Sequence, residues 1–264
     1  MPVDLKDIRL FLLDMDGTVY LGGRMFPGTF AFMDRIGRSC AEYLFLTNNS
    51  SSSRSLYARK LERLGLPTPE DHIFTSGEAT TLYLQGQKPG ASVFLAGTPA
   101  LEEEFLQAGF QLTGCREDSL PDFAVLGFDT TLTYQKLWRL CDLVRAGVPY
   151  IATHPDFNCP VEGGYMPDIG AMIAFVEAST GRRPLVIGKP NRPIVEAVAA
   201  RTGIPLRQTA IVGDRLYTDI AMGVNSGITS ILVLSGETSR EDLAGSAIRP
   251  DYVFEDIGAL AQAL

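Results

Sequence analysis

Short runs of consecutive apolar residues recur along the chain, at 10–13, 43–46, 93–96, 123–126, 149–152, 185–187, 210–212, 231–234 and 252–254. Several are apolar at every position instead of every second one, the pattern of strands buried on both faces of a parallel sheet. Between them, apolar residues fall three and four apart over 53–64, 98–108, 134–146, 194–202 and 218–225. That spacing predicts amphipathic helices. Gly65-Leu66-Pro67, Gly147-Val148-Pro149 and Gly203-Ile204-Pro205 mark turns between the two kinds of element. Strand and helix in alternation predict an α/β protein built on a doubly wound parallel sheet.

Four of the apolar runs end in polar clusters. They lead into Asp14-Met15-Asp16-Gly17-Thr18, Thr47-Asn48-Asn49-Ser50, Gly188-Lys189-Pro190 and Gly213-Asp214, with Asp219 five residues further on. Open parallel sheets bind ligands at the carboxyl ends of their strands. The four ends are therefore expected side by side around one site. The stretch from Thr47 to Lys189 far exceeds the ~30 residues of a single crossover unit, and it carries strands and helices of its own. It predicts a second α/β domain, 77–183, set over the carboxyl edge of a discontinuous core formed by 1–76 and 184–264.

Composition narrows the partners. Asp and Glu number 31 against 23 Lys and Arg, a net charge of −8. An acidic surface argues against general binding to a nucleic-acid duplex or to a membrane, since both present anionic faces. It leaves room for a small anionic substrate met by local positive charge. No apolar stretch reaches the ~20 residues that span a bilayer, and residues 1–9 lack a signal-peptide pattern. Cys40, Cys115, Cys141 and Cys159 stand far apart with no CxxC pair, which predicts reduced thiols in the cytoplasm. The only two histidines, His72 and His154, stand far apart, which argues against an HExxH zinc site and a histidine-based hydrolytic triad.

The clusters suit one chemistry together. A carboxylate at Asp14 can act as a nucleophile on phosphorus, dividing one displacement into two. Asp16 can protonate the departing alkoxide and later take a proton from water. Two acids repel a phosphate dianion, and a hard cation such as Mg2+, held by Asp14 and Asp214, removes that repulsion. Lys189 adds positive charge for the phosphoryl oxygens. The Thr47 hydroxyl and the backbone N–H groups around Asn48 can donate to the same atoms. Each cluster alone has a plainer reading: a capped turn at 14–18, a helix N-cap at 47–53, a solvated turn at 188–190, a strand-to-loop junction at 213–214. Their joint occurrence in this order favours the site.

In that order the four clusters resemble the motifs of the haloacid dehalogenase-like (HAD) phosphatase superfamily. The long insertion, with Val186-Ile187-Gly188-Lys189-Pro190 and Gly213-Asp214-Arg215-Leu216-Tyr217-Thr218-Asp219, is similar to the capped NagD or nitrophenylphosphatase branch. The resemblance implies a HAD-like core with an inserted α/β cap, and a Mg2+-dependent phosphatase working through an aspartyl-phosphate on Asp14. It implies Asp16 as general acid and base. Mg2+ would be held by the Asp14 and Asp214 side chains and the Asp16 carbonyl, and phosphate by Thr47, Asn48, Asn49 and Lys189. Asp219 would orient the metal site or Lys189. Asp16 argues against dehalogenation, whose enzymes lack that second aspartate. The segment Thr153-His154-Pro155-Asp156-Phe157-Asn158-Cys159-Pro160 is similar to the family's substrate-facing cap loop, with His154 where Asn or Asp is commoner. Asn158, Cys159 and residues 165–172 are expected to line the pocket; the other reading is a proline-pinned structural loop in which His154 bonds its own turn. A large cap favours small phosphorylated metabolites, and related capped proteins imply a homodimer paired through the cap. Two further functions share the constellation: a phosphotransferase or mutase using the same intermediate, and a receiver-like phosphoacceptor protein, which the insertion disfavours.

Overall fold

The structure, a computed structural model, describes residues 3–117, 119–161 and 163–264. The chain divides into two units: Met1–Thr47, Arg54–Phe74 and Lys189–Leu264 form the first, Asn48–Ser53 and Thr75–Gly188 the second. No described helix is long and apolar enough to cross a membrane.

The first unit is built on a six-stranded sheet in the order Tyr252–Phe254, Thr229–Val233, Thr209–Gly213, Leu10–Leu13, Glu42–Thr47, Ile73–Thr75. The pairings around its centre are parallel, with Leu10 opposite both Thr209 and Glu42. Every side chain of the central strands Leu10–Leu13 and Thr209–Gly213 is buried, as uninterrupted apolar runs require. Phe11, Leu13, Ala210 and Val212 face a core shared with Phe32, Ile36, Ile257 and Leu260. Those residues come from the helices Pro27–Gly37 and Ile257–Ala263. On the opposite face, the helix Ala221–Ser226 brings Gly223 so close that an added Cβ would lie 2.6 Å from Ser230 and 3.2 Å from Ile211. Helices thus cover both faces, and the sheet is doubly wound.

The second unit has its own five-stranded parallel sheet, ordered Leu185–Val186, Tyr150–Ala152, Phe123–Leu126, Ser92–Ala96, Gln111–Thr113. The helices Tyr134–Arg145 and Ile169–Thr180 bury Leu140, Val144, Ile173 and Val176 against Phe94, Leu126 and Phe128. An antiparallel hairpin, Asn158–Val161 with Gly164–Pro167, completes it.

One expectation needs correction. The four polar ends do not lie side by side in one sheet, because Leu185–Val186 pairs with Ile151 and Ala152 in the second sheet. It is a two-residue edge strand whose Val186 packs on the second unit's core, so its pairing is decided by that neighbour and not by its own pattern. Several elements also lie outside those the periodicity predicts. The helices Pro27–Gly37 and Ile257–Ala263 carry Gly28, Gly37 and Gly258, poor helix formers that mask the pattern. Two of these glycines serve contact: Gly28 and Gly258 abut, and a Cβ on Gly28 would sit 2.6 Å from the Gly258 backbone. The helix expected at 218–225 is in fact a turn of π-helix, Leu216–Ile220, running into Ala221–Ser226.

Candidate active site

The strand Leu10–Leu13 lies between Thr209–Gly213 and Glu42–Thr47, so Asp14, Asp214 and Thr47 emerge at neighbouring carboxyl ends. Asp14 N–H donates to the Val212 carbonyl at 2.9 Å, carrying the ladder one residue past the strand and fixing the root of Asp14. The chain then reverses. The Met15 carbonyl accepts from the N–H groups of Thr18, Val19 and Tyr20 at 3.3, 2.9 and 3.2 Å. Gly17, at φ +89°, supplies the left-handed step, and a Cβ there would fall 2.3 Å from Asp214 Oδ2. Glycine is required twice over, by backbone conformation and by the approach of the carboxylate. Asp16 stays exposed on the outside of this turn.

Lys189 joins the cluster. Its buried Nζ donates to Asp14 Oδ1 at 2.5 Å, to Asp219 Oδ1 at 2.7 Å and to the Leu46 carbonyl at 3.4 Å. Asp219 Oδ2 accepts from Arg215 N–H at 3.2 Å. A Cβ on Gly213 would lie 2.3 Å from the Asp219 side chain, so glycine at the strand end is what admits that carboxylate. Asp14, Asp214 and Asp219 each offer an oxygen, and these lie within 4.8 Å of one another.

Asp14 and Asp214, close together beside Asp219, are held above the usual carboxylate range. Burial, opposed by Lys189 and reinforced by Asp219 and Asp214, pushes Asp14 up to about 7. Burial, then the neighbouring Asp219, pushes Asp214 up to about 6. Burial alone would lower the Lys189 pKa, but Asp14 and Asp219 beside it carry it above its ordinary value, so it stays charged. Were all three carboxylates ionised, their charge would exceed what Lys189 alone neutralises. The donor set is all hard oxygen, which suits Mg2+ rather than a soft metal. Asp219 accepts from Lys189 through Oδ1 and from the Arg215 amide through Oδ2.

The remaining expected residues fall as follows. Thr47 ends its strand and is buried. Asn48 and Asn49 belong to the second unit. Asn48 Nδ2 donates to the Asp156 carboxylate at 3.2 and 3.1 Å, and its carbonyl accepts from the Ser76 hydroxyl. Asn49 Oδ1 accepts from the N–H and hydroxyl of Ser51 at 2.8 and 2.7 Å, a local turn. Asn158 and Cys159 lie on the hairpin, opposite Pro167 and Met166, so the segment expected as a loop forms strand pairs. His154 is buried between Thr153 Oγ1 (3.2 Å) and Asp168 Oδ1 (3.0 Å). Asp168 in turn accepts from Ile169 N–H at the start of its helix.

Several contacts carry no signal in the sequence. Thr18 Oγ1 lies 3.5 Å from Asp214 Oδ1. Glu237 N–H donates to Asp214 Oδ2 at 2.7 Å, and the Glu237 carboxylate pairs with Arg215 at 2.9 Å. Ser235 Oγ donates to the Gly17 carbonyl at 2.8 Å. Ser235 and Glu237 follow the strand Thr229–Val233 in a stretch with no periodicity and no motif. The usable signal was position: they lie at another carboxyl end of the same sheet.

Fold and rim define a class: proteins on an open parallel sheet that gather acids and a lysine at its carboxyl edge. A family model described as haloacid dehalogenase-like hydrolase matches residues 11–111, and a second, HAD-hydrolase-like, matches 186–260. The chain is 34% identical over 253 residues to an acid sugar phosphatase of Staphylococcus epidermidis, covering 96% of each protein. Among solved structures, the 4-nitrophenylphosphatase of Thermotoga maritima shares 46% identity at a TM-score of 0.93, covering 98% of both chains. The glycerol phosphate phosphatase of Mycobacterium tuberculosis, in complex with magnesium, shares 32% identity at a TM-score of 0.89, with 99% of this chain and 79% of that one covered. The chain belongs to the haloacid dehalogenase-like superfamily, in its NagD-like phosphatase branch.

Proposed function

We propose that the protein is a Mg2+-dependent phosphatase that hydrolyses small phosphomonoester metabolites through an aspartyl-phosphate on Asp14. The observation that carries this reading is the meeting of Asp14, Lys189, Asp214 and Asp219 at one sheet edge. In the first step an Asp14 oxygen bonds to phosphorus as the bond to the ester oxygen breaks, and Asp16 gives its proton to that leaving oxygen. In the second, Asp16 takes a proton from water, the water oxygen bonds to phosphorus, and the Asp14–phosphorus bond breaks to release phosphate. Lys189 orients Asp14 through its 2.5 Å contact and offers charge to the phosphoryl oxygens. Asp219 holds Lys189 in place. Thr47, with Asn48 and Asn49 next in the chain, would donate to the phosphate. Mg2+, held by Asp14, Asp214 and the Asp16 carbonyl, would supply the charge that lets carboxylate approach phosphate. The breadth of substrate is supported by relatives named for sugar, nitrophenyl and glycerol phosphates.

The test is a phosphate-release screen over sugar phosphates, glycerol phosphate, nucleotides and nitrophenyl phosphate, with and without Mg2+. Asp14→Asn is expected to abolish release while leaving the folded circular-dichroism spectrum intact. Hydrolysis undiminished in that variant would remove the nucleophile from the scheme. Transfer of phosphate to an added alcohol in place of water would redirect the reading to a phosphotransferase.

A further inference from the structure

The Asp214 carboxylate is enclosed far more closely than a surface acid. It lies between two glycines: a Cβ on Gly17 would fall 2.3 Å from Oδ2, and one on Gly236 only 2.0 Å from the same atom. Gly236 belongs to a short segment, 235–238, that touches the site at four points. Glu237 N–H donates to Asp214 Oδ2 at 2.7 Å, and Thr238 N–H donates to the Asp214 carbonyl at 3.3 Å. Ser235 Oγ donates to the Gly17 carbonyl at 2.8 Å, and the Glu237 carboxylate pairs with Arg215, the residue after Asp214.

Both ends of the segment are anchored. Before it, Leu234 N–H donates to the Phe254 carbonyl at 3.0 Å, and Leu234 packs against Leu216, Ile220 and Leu232. After it, Ser239 and Asp242 form a reciprocal cap on the helix Arg240–Gly245. A segment pinned at both ends can hold a carboxylate at a fixed rotation. With Oδ2 taken by the Glu237 amide and Oδ1 at a long 3.5 Å from the Thr18 hydroxyl, Asp214 presents Oδ1, and a rigid hard-oxygen donor is what a small octahedral cation selects.

We infer that residues 235–238 are a positioning clamp that sets Asp214, and ties it to the Gly17 turn, for divalent-cation binding. The inference rests on the cation reading of the site proposed above. Ser235, Gly236 and Glu237 are positioning residues: they act through Asp214 and the turn after Asp14, not on substrate. Removing one neutral hydrogen bond of this kind weakens what it positions by about 3- to 10-fold, so the clamp has a measurable size.

The test is calorimetric titration of the full chain with MgCl2, without substrate, joined to thermal melts without metal. Ser235→Ala should weaken Mg2+ binding about 3- to 10-fold, and Ser235→Thr, which keeps the hydroxyl, should restore it. Gly236→Ala should weaken it by roughly 100-fold or more, since its methyl displaces Asp214 Oδ2; Gly236 needs no left-handed backbone, so alanine is accepted locally. Phosphatase activity of Ser235→Ala should recover as Mg2+ is raised, a return that a generally damaged fold would not give. Asp214→Asn separates the two levels of the argument. Mg2+ binding unaltered in Asp214→Asn would overturn the cation reading and the clamp with it. Binding lost in Asp214→Asn but within twofold of the parent in both Ser235→Ala and Gly236→Ala would overturn the clamp alone.

Discussion

Asp14 and Asp16 are two residues apart and live in different environments. Asp14 is half-buried against Lys189, while Asp16 is exposed beyond the Gly17 turn. That difference suits the division proposed for them, one carboxylate attacking and the other exchanging a proton with the leaving group. Asp16→Asn should therefore cost an alkyl phosphate about 10²- to 10⁴-fold in kcat/KM and nitrophenyl phosphate much less, because nitrophenolate departs without protonation. The comparison is made as kcat/KM, which reports the first step. An equal loss on both esters would remove Asp16 from the acid role. His154 shows the opposite case, a residue conspicuous in the sequence that serves its own loop. Its two ring nitrogens are taken by Thr153 and Asp168.

At the scale of elements, apolar runs foretold strands best where both faces are buried. The run at 10–13 and the one at 123–126 coincide with Leu10–Leu13 and Phe123–Leu126. Short edge strands such as Ile73–Thr75 and Gln111–Thr113 gave too few residues to show a period. Helices with glycine at their contacts were likewise hidden, because the residue that permits close packing also weakens helical propensity. The Gly28–Gly258 contact makes this testable. Gly28→Ala places a methyl 2.6 Å from backbone and should cost about 1–3 kcal/mol by overpacking, read as the shift in urea-unfolding free energy. The turnover of the folded variant should stay within about twofold, since neither helix carries a proposed catalytic group.

For the whole molecule, the acid cluster links stability to pH and, through the proposed cation, to metal. Asp14 and Asp214 titrate near 7 and 6 in the fold, against 3.8 when unperturbed. The folded state therefore holds more protons than the unfolded chain between about pH 4 and pH 7, and stability from these groups falls as pH rises through that window. Without metal, Asp214→Asn should match the parent's melting temperature near pH 4 and exceed it near pH 7. The proposed Mg2+ would bind the ionised form, so its stabilisation of the parent should be largest near pH 7 and vanish near pH 4. A parent that gains stability relative to Asp214→Asn as pH rises would contradict the raised acid pKa values.

The amino-acid sequence by itself determined the alternation of strand and helix, the polar clusters at strand ends and the residue types that a phosphoryl site needs. These are local properties: a strand buried on both faces must be apolar throughout, and a sharp turn at Gly17 needs glycine whatever lies around it. Tertiary structure alone decided that Leu185–Val186 pairs in the second sheet while Lys189, three residues on, bonds Asp14. It alone brought Ser235 and Glu237 onto Gly17 and Asp214. Such contacts join residues up to 218 positions apart, and no periodicity or spacing encodes a neighbour that only sheet order supplies.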